Sequence, residues 1–230
     1  MRFKKVILSV IIFLISVMFV GCGGNNNVKF TDDALIISDK TYPYDGTEEL
    51  SLCGASLGSL DGFEKFKDVR DLGLCSNNLT DLSPLKNLTE VTKLNVEGNN
   101  ITSVEPLQNM EMMEVLLLAD NKITDLSPIE NMRGLIALTI SNNPVDNLNS
   151  LKNLTSLTNL SAEGMNITDL SPLSDMTNLR NLYFQNNNIT DITPLLNLTK
   201  LKYVDLRGNP LTEEQLNLLK STNKDCEVIF

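Results

Sequence analysis

The side chains that could do chemistry here are few, and most recur at one spacing. Histidine is absent from the 230 residues, which removes imidazole acid–base chemistry, histidine-based triads and histidine metal sites. Carboxylate pairs could act as acid and base, but the acids are spread along the chain with no pocket implied. Of the four cysteines (Cys22, Cys53, Cys75 and Cys226), Cys53 and Cys75 are 22 residues apart. Asparagines follow the same spacing at Asn77, Asn99, Asn121, Asn143, Asn187 and Asn209, with Ala55 and Met165 where the series is interrupted. Asp81, Asp125, Asp169 and Asp191 form a third series. A repeated amide suits backbone hydrogen bonding, and repeated aspartates suit turn amides. A cation ladder on the aspartates is the alternative. None of this assembles a catalytic constellation, so the expectation is a non-enzyme with no cofactor and no metal.

These series belong to a longer pattern. Leu50, Leu72, Leu94, Leu116, Leu138, Leu160, Leu182 and Val204 recur every 22 residues without insertion or deletion. A fixed period of this length is the signature of a stacked solenoid. Each repeat opens with alternation, as in Leu72-Gly73-Leu74-Cys75, which is the strand signal. The asparagine then marks a turn. Ser83-Pro84 reads as an N-cap followed by the first position of a short helical turn, where proline costs no hydrogen bond. Pro106, Pro128, Pro172 and Pro194 repeat it. Leu85, Leu88 and Val91 have the three-residue spacing of a tight turn facing the core. An inward amide at each asparagine would satisfy backbone groups of adjoining turns, so Met165 should leave one turn weak.

The pattern Leu-x-x-Leu-x-Leu-x-x-Asn-x-Ile, followed by Asp-Leu-Ser-Pro-Leu-x-Asn-Leu-Thr, resembles short 22-residue leucine-rich repeats, of which bacterial internalins are extracellular examples. The resemblance implies an α/β solenoid: a right-handed superhelix with a parallel concave sheet and short helical or 3-10 turns on the convex side. Residues 50–211 hold about seven or eight repeats. Residues 28–49 read as an N-terminal cap of one or two short strands. Residues 212–230 read as a C-terminal cap, with a Thr212…Gln215 capping box opening a helix at 213–221 and a strand at 226–230.

The first 27 residues read as targeting rather than fold. Met1–Lys5 is basic, Val6–Val20 almost wholly apolar, and Gly21-Cys22 follows. That order describes a secretory signal over residues 1–21, too short for a spanning helix. Phe19-Val20-Gly21-Cys22 resembles a bacterial lipobox. The resemblance implies lipid on Cys22, which becomes the mature N-terminus on a flexible tether at residues 22–27. Losing Arg2, Lys4 and Lys5 takes the net charge from −10 to −13. Such a balance argues against nucleic acid, whose phosphates need Lys and Arg.

Recognition would sit on the concave strand face, reading one residue before, one after and three after each anchor. The candidates are Lys93, Glu97, Val115, Leu117, Ala137, Glu163, Tyr183, Gln185, Tyr203 and Arg207. Val115 and Leu117 make an apolar spot with no structural need. Tyr183 and Tyr203 fall on adjoining strands within aromatic reach. Cys53 and Cys75 share one outward position on neighbouring strands, with Cα atoms about 5 Å apart. They are either a disulfide or two free thiols. Eight layers give a face roughly 35–40 Å long. The expected function is an extracytoplasmic, lipid-anchored, cell-surface protein that binds protein partners and meets the membrane through Cys22. The alternatives are a carbohydrate or cell-wall binder and a passive envelope scaffold.

Overall fold

The computed structural model describes residues 28–230. The signal segment 1–21, the tether 22–27 and Cys22 lie outside the described residues. Three elements cap the start: β1 (Val28–Phe30), β2 (Ala34–Ile37) and β3 (Lys40–Pro43), paired antiparallel in the order β1-β2-β3. This is one strand more than the sequence suggests. Leu35, Ile37 and Tyr44 are buried against the first layer, where Phe63 and Phe66 supply bulk. The Tyr44 and Phe66 rings meet edge-on at 4.9 Å.

Eight strands of three residues follow: β4 (Glu49–Ser51), β5 (Asp71–Gly73), β6 (Lys93–Asn95), β7 (Val115–Leu117), β8 (Ala137–Thr139), β9 (Asn159–Ser161), β10 (Asn181–Tyr183) and β11 (Tyr203–Asp205). With β12 (Glu227–Ile229) they form one parallel sheet in sequence order. Its register follows from the period, since Leu50 pairs with Leu72, Leu72 with Leu94, and so on to Leu182 with Val204. The central residue of each strand points into the core and is buried. One-residue neighbours point the other way, as a pleated strand requires. The chain is thus a leucine-rich repeat solenoid.

Opposite the sheet run short 3-10 turns such as Ser83–Leu85, Ser127–Ile129 and Ser171–Leu173, each burying its last residue. Proline stands at the second position of most, as its fixed φ allows. The serine before it is not the cap. Ser83, Ser127 and Ser171 are the first residues of their turns, and no side chain at the formal cap position bonds. The capping acceptor sits two residues earlier. Asp81, Asp125, Asp169 and Asp191 accept the N–H of Ser83, Ser127, Ser171 and Thr193, each at 2.8 Å. Ser59, Ser103 and Asn147 do the same in the other layers. These side chains mimic a backbone turn. Bonds from the Ser127 N–H and hydroxyl hold the Asp125 carboxyl below the usual range, and Asp169 is held down by Ser171 in the same way.

The asparagines lie on the other bend, where the chain leaves the strand. Asn77, Asn99, Asn121, Asn143 and Asn187 are buried. Asn121 is representative. Its Nδ2 donates to the Val96 carbonyl of the preceding layer at 2.9 Å and to its own Leu118 carbonyl at 3.0 Å. Its Oδ1 accepts the N–H of Ile101 at 3.0 Å. One residue earlier the backbone is left-handed in every layer, from Gly54 (φ 71°) to Gly208 (φ 72°). Glycine at 164 also has a steric reason, because a Cβ there would lie 2.6 Å from Asn142 Oδ1.

At the far end Thr212 caps α1 (Glu213–Thr222) with a complete capping box to Gln215. Leu216 and Leu219 are buried beneath it. The strand β12 then closes the sheet against β11.

Candidate ligand-binding face

The exposed side of the sheet carries three columns of side chains, at one residue before, one after and three after each anchor. The column positions are fixed by register, so side chains from different repeats meet at strand spacing. Their chemistry divides the face along its length.

At the N-terminal end Cys53 and Cys75 are joined by a disulfide, with Cα atoms 4.4 Å apart. The one free cysteine among the described residues is Cys226, where burial pushes the thiol up to about 11. Next along the face, Lys93 Nζ pairs with Asp71 at 2.9 Å. Glu97 is half-buried and accepts the Thr139 hydroxyl at 2.8 Å. That bond crosses the intervening layer of Leu116.

Beside this crossing the structure departs from the sequence reading. Leu117 is only 9% exposed and Ala137 only 3%. Both lie on the concave side, yet neither is an open anchor. Strands flank both side chains, and the Glu97–Thr139 bridge crosses the layer that holds Leu117. Val115 is half-buried. The exposed apolar groups of this region are instead Met112 and Ile136, at 57% and 42%, where the chain runs into β7 and β8.

Beyond Thr139 the face turns polar. The Ser141 and Ser161 hydroxyls share a hydrogen bond at 2.8 Å. Asn181 donates its amide to Asn159. Glu163, half-buried, accepts from the Asn186 amide at 3.2 Å.

The C-terminal layers hold the densest cluster. The Tyr183 and Tyr203 ring centroids are 5.1 Å apart with planes tilted by 38°. Asp205, fully buried, lies beside them. Its carboxylate accepts Arg207 Nε at 3.0 Å, Arg207 Nη2 at 2.6 Å and Gln185 Nε2 at 3.0 Å. The Tyr203 hydroxyl donates to it at 3.4 Å. A buried carboxylate persists only with such partners. In return it fixes the exposed Arg207 guanidinium and the Gln185 amide. Burial, reinforced by the Asp205 charge, pushes the Tyr203 hydroxyl up to about 12, and Tyr183 is raised for the same two reasons. Both tyrosines are therefore neutral donors at physiological pH. Gln185 Oε1 is buried with no partner among the described residues.

The fold thus brings Tyr183, Gln185, Tyr203 and Arg207 into one cluster with Glu163 alongside. It keeps Lys93 and Glu97 on the earlier layers. Asp205, which organises the cluster, was not singled out by sequence. The signal was an acid two residues before Arg207 and beside two tyrosines. Among the described residues no group of three His, Cys, Asp or Glu side chains could hold a metal ion, and no helix is long and apolar enough to cross a membrane.

Glu97 gives a pH signature. Burial raises its carboxyl above the ordinary value, the Asp120 charge adds to this, and the Thr139 hydrogen bond opposes it. A raised folded value means stability is fully present below the unfolded pKa and is lost as pH rises through the folded one. Ionised Glu97 therefore works against folding at neutral pH. Glu97→Gln keeps the acceptor for Thr139 without the charge. Its Tm should exceed that of the wild type at neutral pH, with the gap closing near pH 4. Thermal denaturation across that range reads the effect, and a constant gap would refute it.

The architecture agrees with known repeat proteins. The family described as Leucine Rich repeats (2 copies) matches residues 155–195 and 177–221. Among solved structures, internalin C2 of Listeria monocytogenes is 29% identical, with a TM-score of 0.78 over 83% of this chain and 85% of that one. An internalin F from the same organism is 26% identical, with a TM-score of 0.55 over 84% and 70%. A leucine-rich repeat protein of Leptospira interrogans shares the fold at 21% identity and a TM-score of 0.68, over 73% and 44%. No curated protein matches the sequence. The fold is a leucine-rich repeat solenoid, similar in build to these internalins.

Proposed function

We propose that this chain is a non-enzymatic binding protein that recognises a protein partner through its concave face. It is displayed outside the cytoplasm, at the cell surface, on lipid attached to Cys22. The observation that carries the recognition reading is the Tyr183–Tyr203 pair beside Arg207, with the guanidinium held by buried Asp205. Tyrosine and arginine are the side chains most enriched where interfaces concentrate binding energy. Here they are held in place before any partner arrives, which lowers the cost of ordering them on binding. Lys93, Glu97, Val115, Glu163 and Gln185 extend the face, with Leu117 and Ala137 as packed floor rather than anchors.

A second reading has its own support. The side-chain amides of Asn159 and Asn181 are linked beside the two tyrosines. Planar amides and aromatic faces also suit a saccharide, so a carbohydrate or cell-wall ligand is the alternative.

The soluble form, residues 23–230, should capture a surface protein that survives washing. Replacing Tyr183 and Tyr203 together by Ala should weaken that complex roughly 30-fold or more, about 2 kcal/mol, while thermal unfolding stays cooperative. Unchanged affinity would remove these layers from the site. Binding to a glycan array but to no protein would favour the second reading, and binding to neither would leave a passive envelope scaffold. The anchor is tested separately by fractionation. Full-length protein should sediment with membranes and Cys22→Ser should remain unprocessed. Normal maturation of Cys22→Ser would end the lipid reading, which is motivated by Gly21-Cys22 after an apolar stretch.

A further inference from the structure

The eight layers from Leu50 to Val204 meet at seven joints, and one joint is built differently from the rest. At six of them the later layer's asparagine donates Nδ2 to a carbonyl of the earlier layer. The acceptors are Leu52, Leu74, Val96, Leu118, Ala162 and Phe184. At the same six, Oδ1 accepts a backbone N–H of the earlier layer, from Leu57, Leu79, Ile101, Ile123, Ile167 and Ile189. The joint between the Leu138 and Leu160 layers has neither bond, because Met165 replaces the amide. Met165 fills the space, at 2% exposure, but offers nothing to the Val145 N–H that stands where those donors stand.

A second lacing bond, made at three of the seven joints, is absent here, as it is where Asn78, Pro144 and Pro210 stand at the equivalent position. The N–H groups of Asn100, Lys122 and Asn188 reach back to the Leu79, Ile101 and Ile167 carbonyls. Asn166 is the equivalent residue, and its backbone is left-handed at φ 60°. Its N–H makes no such bond to Val145. On the strand side the joint has the usual backbone bonds and two more, since the Ser141 hydroxyl bonds that of Ser161 and accepts the Glu163 N–H at 3.0 Å. Leu138 pairs with Leu160, and the N–H groups of Ile140 and Asn142 donate to Ser161 and Glu163, both at 2.8 Å. The two layers are therefore hydrogen-bonded along the sheet and held at the asparagine bend by apolar packing alone. Apolar packing has no preferred direction, whereas the amide bonds fix an angle.

We infer that the solenoid flexes at this joint, with the layers up to Asn143 and the layers from Asn159 onward moving as two blocks about the β8–β9 pairing. The joint also falls where the concave face changes character. Lys93, Glu97 and Val115 ride on the first block, and Tyr183, Gln185, Tyr203 and Arg207 on the second. On the binding reading proposed above, a ligand touching both blocks selects one bend. The flexing itself does not depend on that reading.

Native-state amide hydrogen exchange on the 23–230 chain, without ligand, tests it. Ile140 and Asn142 amides cross the joint, and Leu118 and Asp120, or Ala162 and Gly164, are their counterparts at neighbouring joints. The joint amides should exchange roughly tenfold faster than their counterparts, as expected where one buried set of hydrogen bonds is missing. Met165→Asn restores the amide. It should bring the rates into line and raise Tm by roughly 2–6 °C. Equal exchange at all joints in the wild type overturns the inference, whether or not the variant folds. Fast exchange that persists in a folded Met165→Asn protein overturns its assignment to the missing amide.

Discussion

The structure depends on how a chain can bend sharply out of a buried strand without stranding its backbone. At each bend N–H and C=O groups turn away from water and away from the sheet. Unpaired, they would cost about 1–3 kcal/mol apiece. An asparagine in six of the eight layers resolves this, because a primary amide has two donors and an acceptor on one short arm. Asn99 shows the full reach. Its Nδ2 donates to carbonyls of two layers, and its Oδ1 accepts the N–H groups of Asn77 and Leu79. The amide therefore fixes the distance and the register between successive turns. A one-residue change in the spacing from strand anchor to asparagine would carry the amide past these partners, so that spacing is constant wherever the asparagine stands.

Everything on the concave face inherits that register. Tyr183 and Tyr203 meet because Asn181 is paired with Tyr203 and Tyr183 with Asp205. The Arg207–Asp205 contact forms because residues two apart on a strand share a face. A buried ion pair is weak evidence for stability, and this one is half open, with the arginine side chain 59% exposed and the carboxylate at 0%. Its consequence is positional. It holds a cation and an amide beside two aromatic rings, at the end of a sheet whose adjoining layers carry small polar groups. Both cations of the face, Lys93 and Arg207, are engaged by aspartates. The unpaired carboxylates thus set the field that a partner meets, and in an acidic protein that field favours basic surfaces.

Much of the architecture was legible because the period is strict. Alternation at Leu72-Gly73-Leu74 gives strand and facing, and the Ser-Pro pairs give the turns. What remained illegible was whatever depends on neighbours in space rather than in sequence. Leu117 alternates outward and reads as exposed, but a bond between Glu97 and Thr139, 42 residues apart, crosses its layer. Asp205 reads as one more surface acid until the strands place Gln185, Tyr203 and Arg207 around it. The Ser-Pro pattern places each turn one residue late, because serine is a strong capping residue and the Asp81 side chain that caps the turn reaches across an intervening leucine. The N-terminal cap lacks the repeat period, and there local pattern alone undercounted the strands.

The central claim is that the amide, rather than the packing volume at its position, holds each bend. Asn121→Met tests it most directly, since the same chain already accommodates methionine at the equivalent Met165. The position stays filled by a buried side chain while the amide hydrogen bonds are lost. Urea unfolding should show a stability loss of about 1–3 kcal/mol with an unchanged m-value. A change of less than about 0.5 kcal/mol, the size of an ordinary surface substitution, would contradict the account and leave the leucine core alone to explain the register.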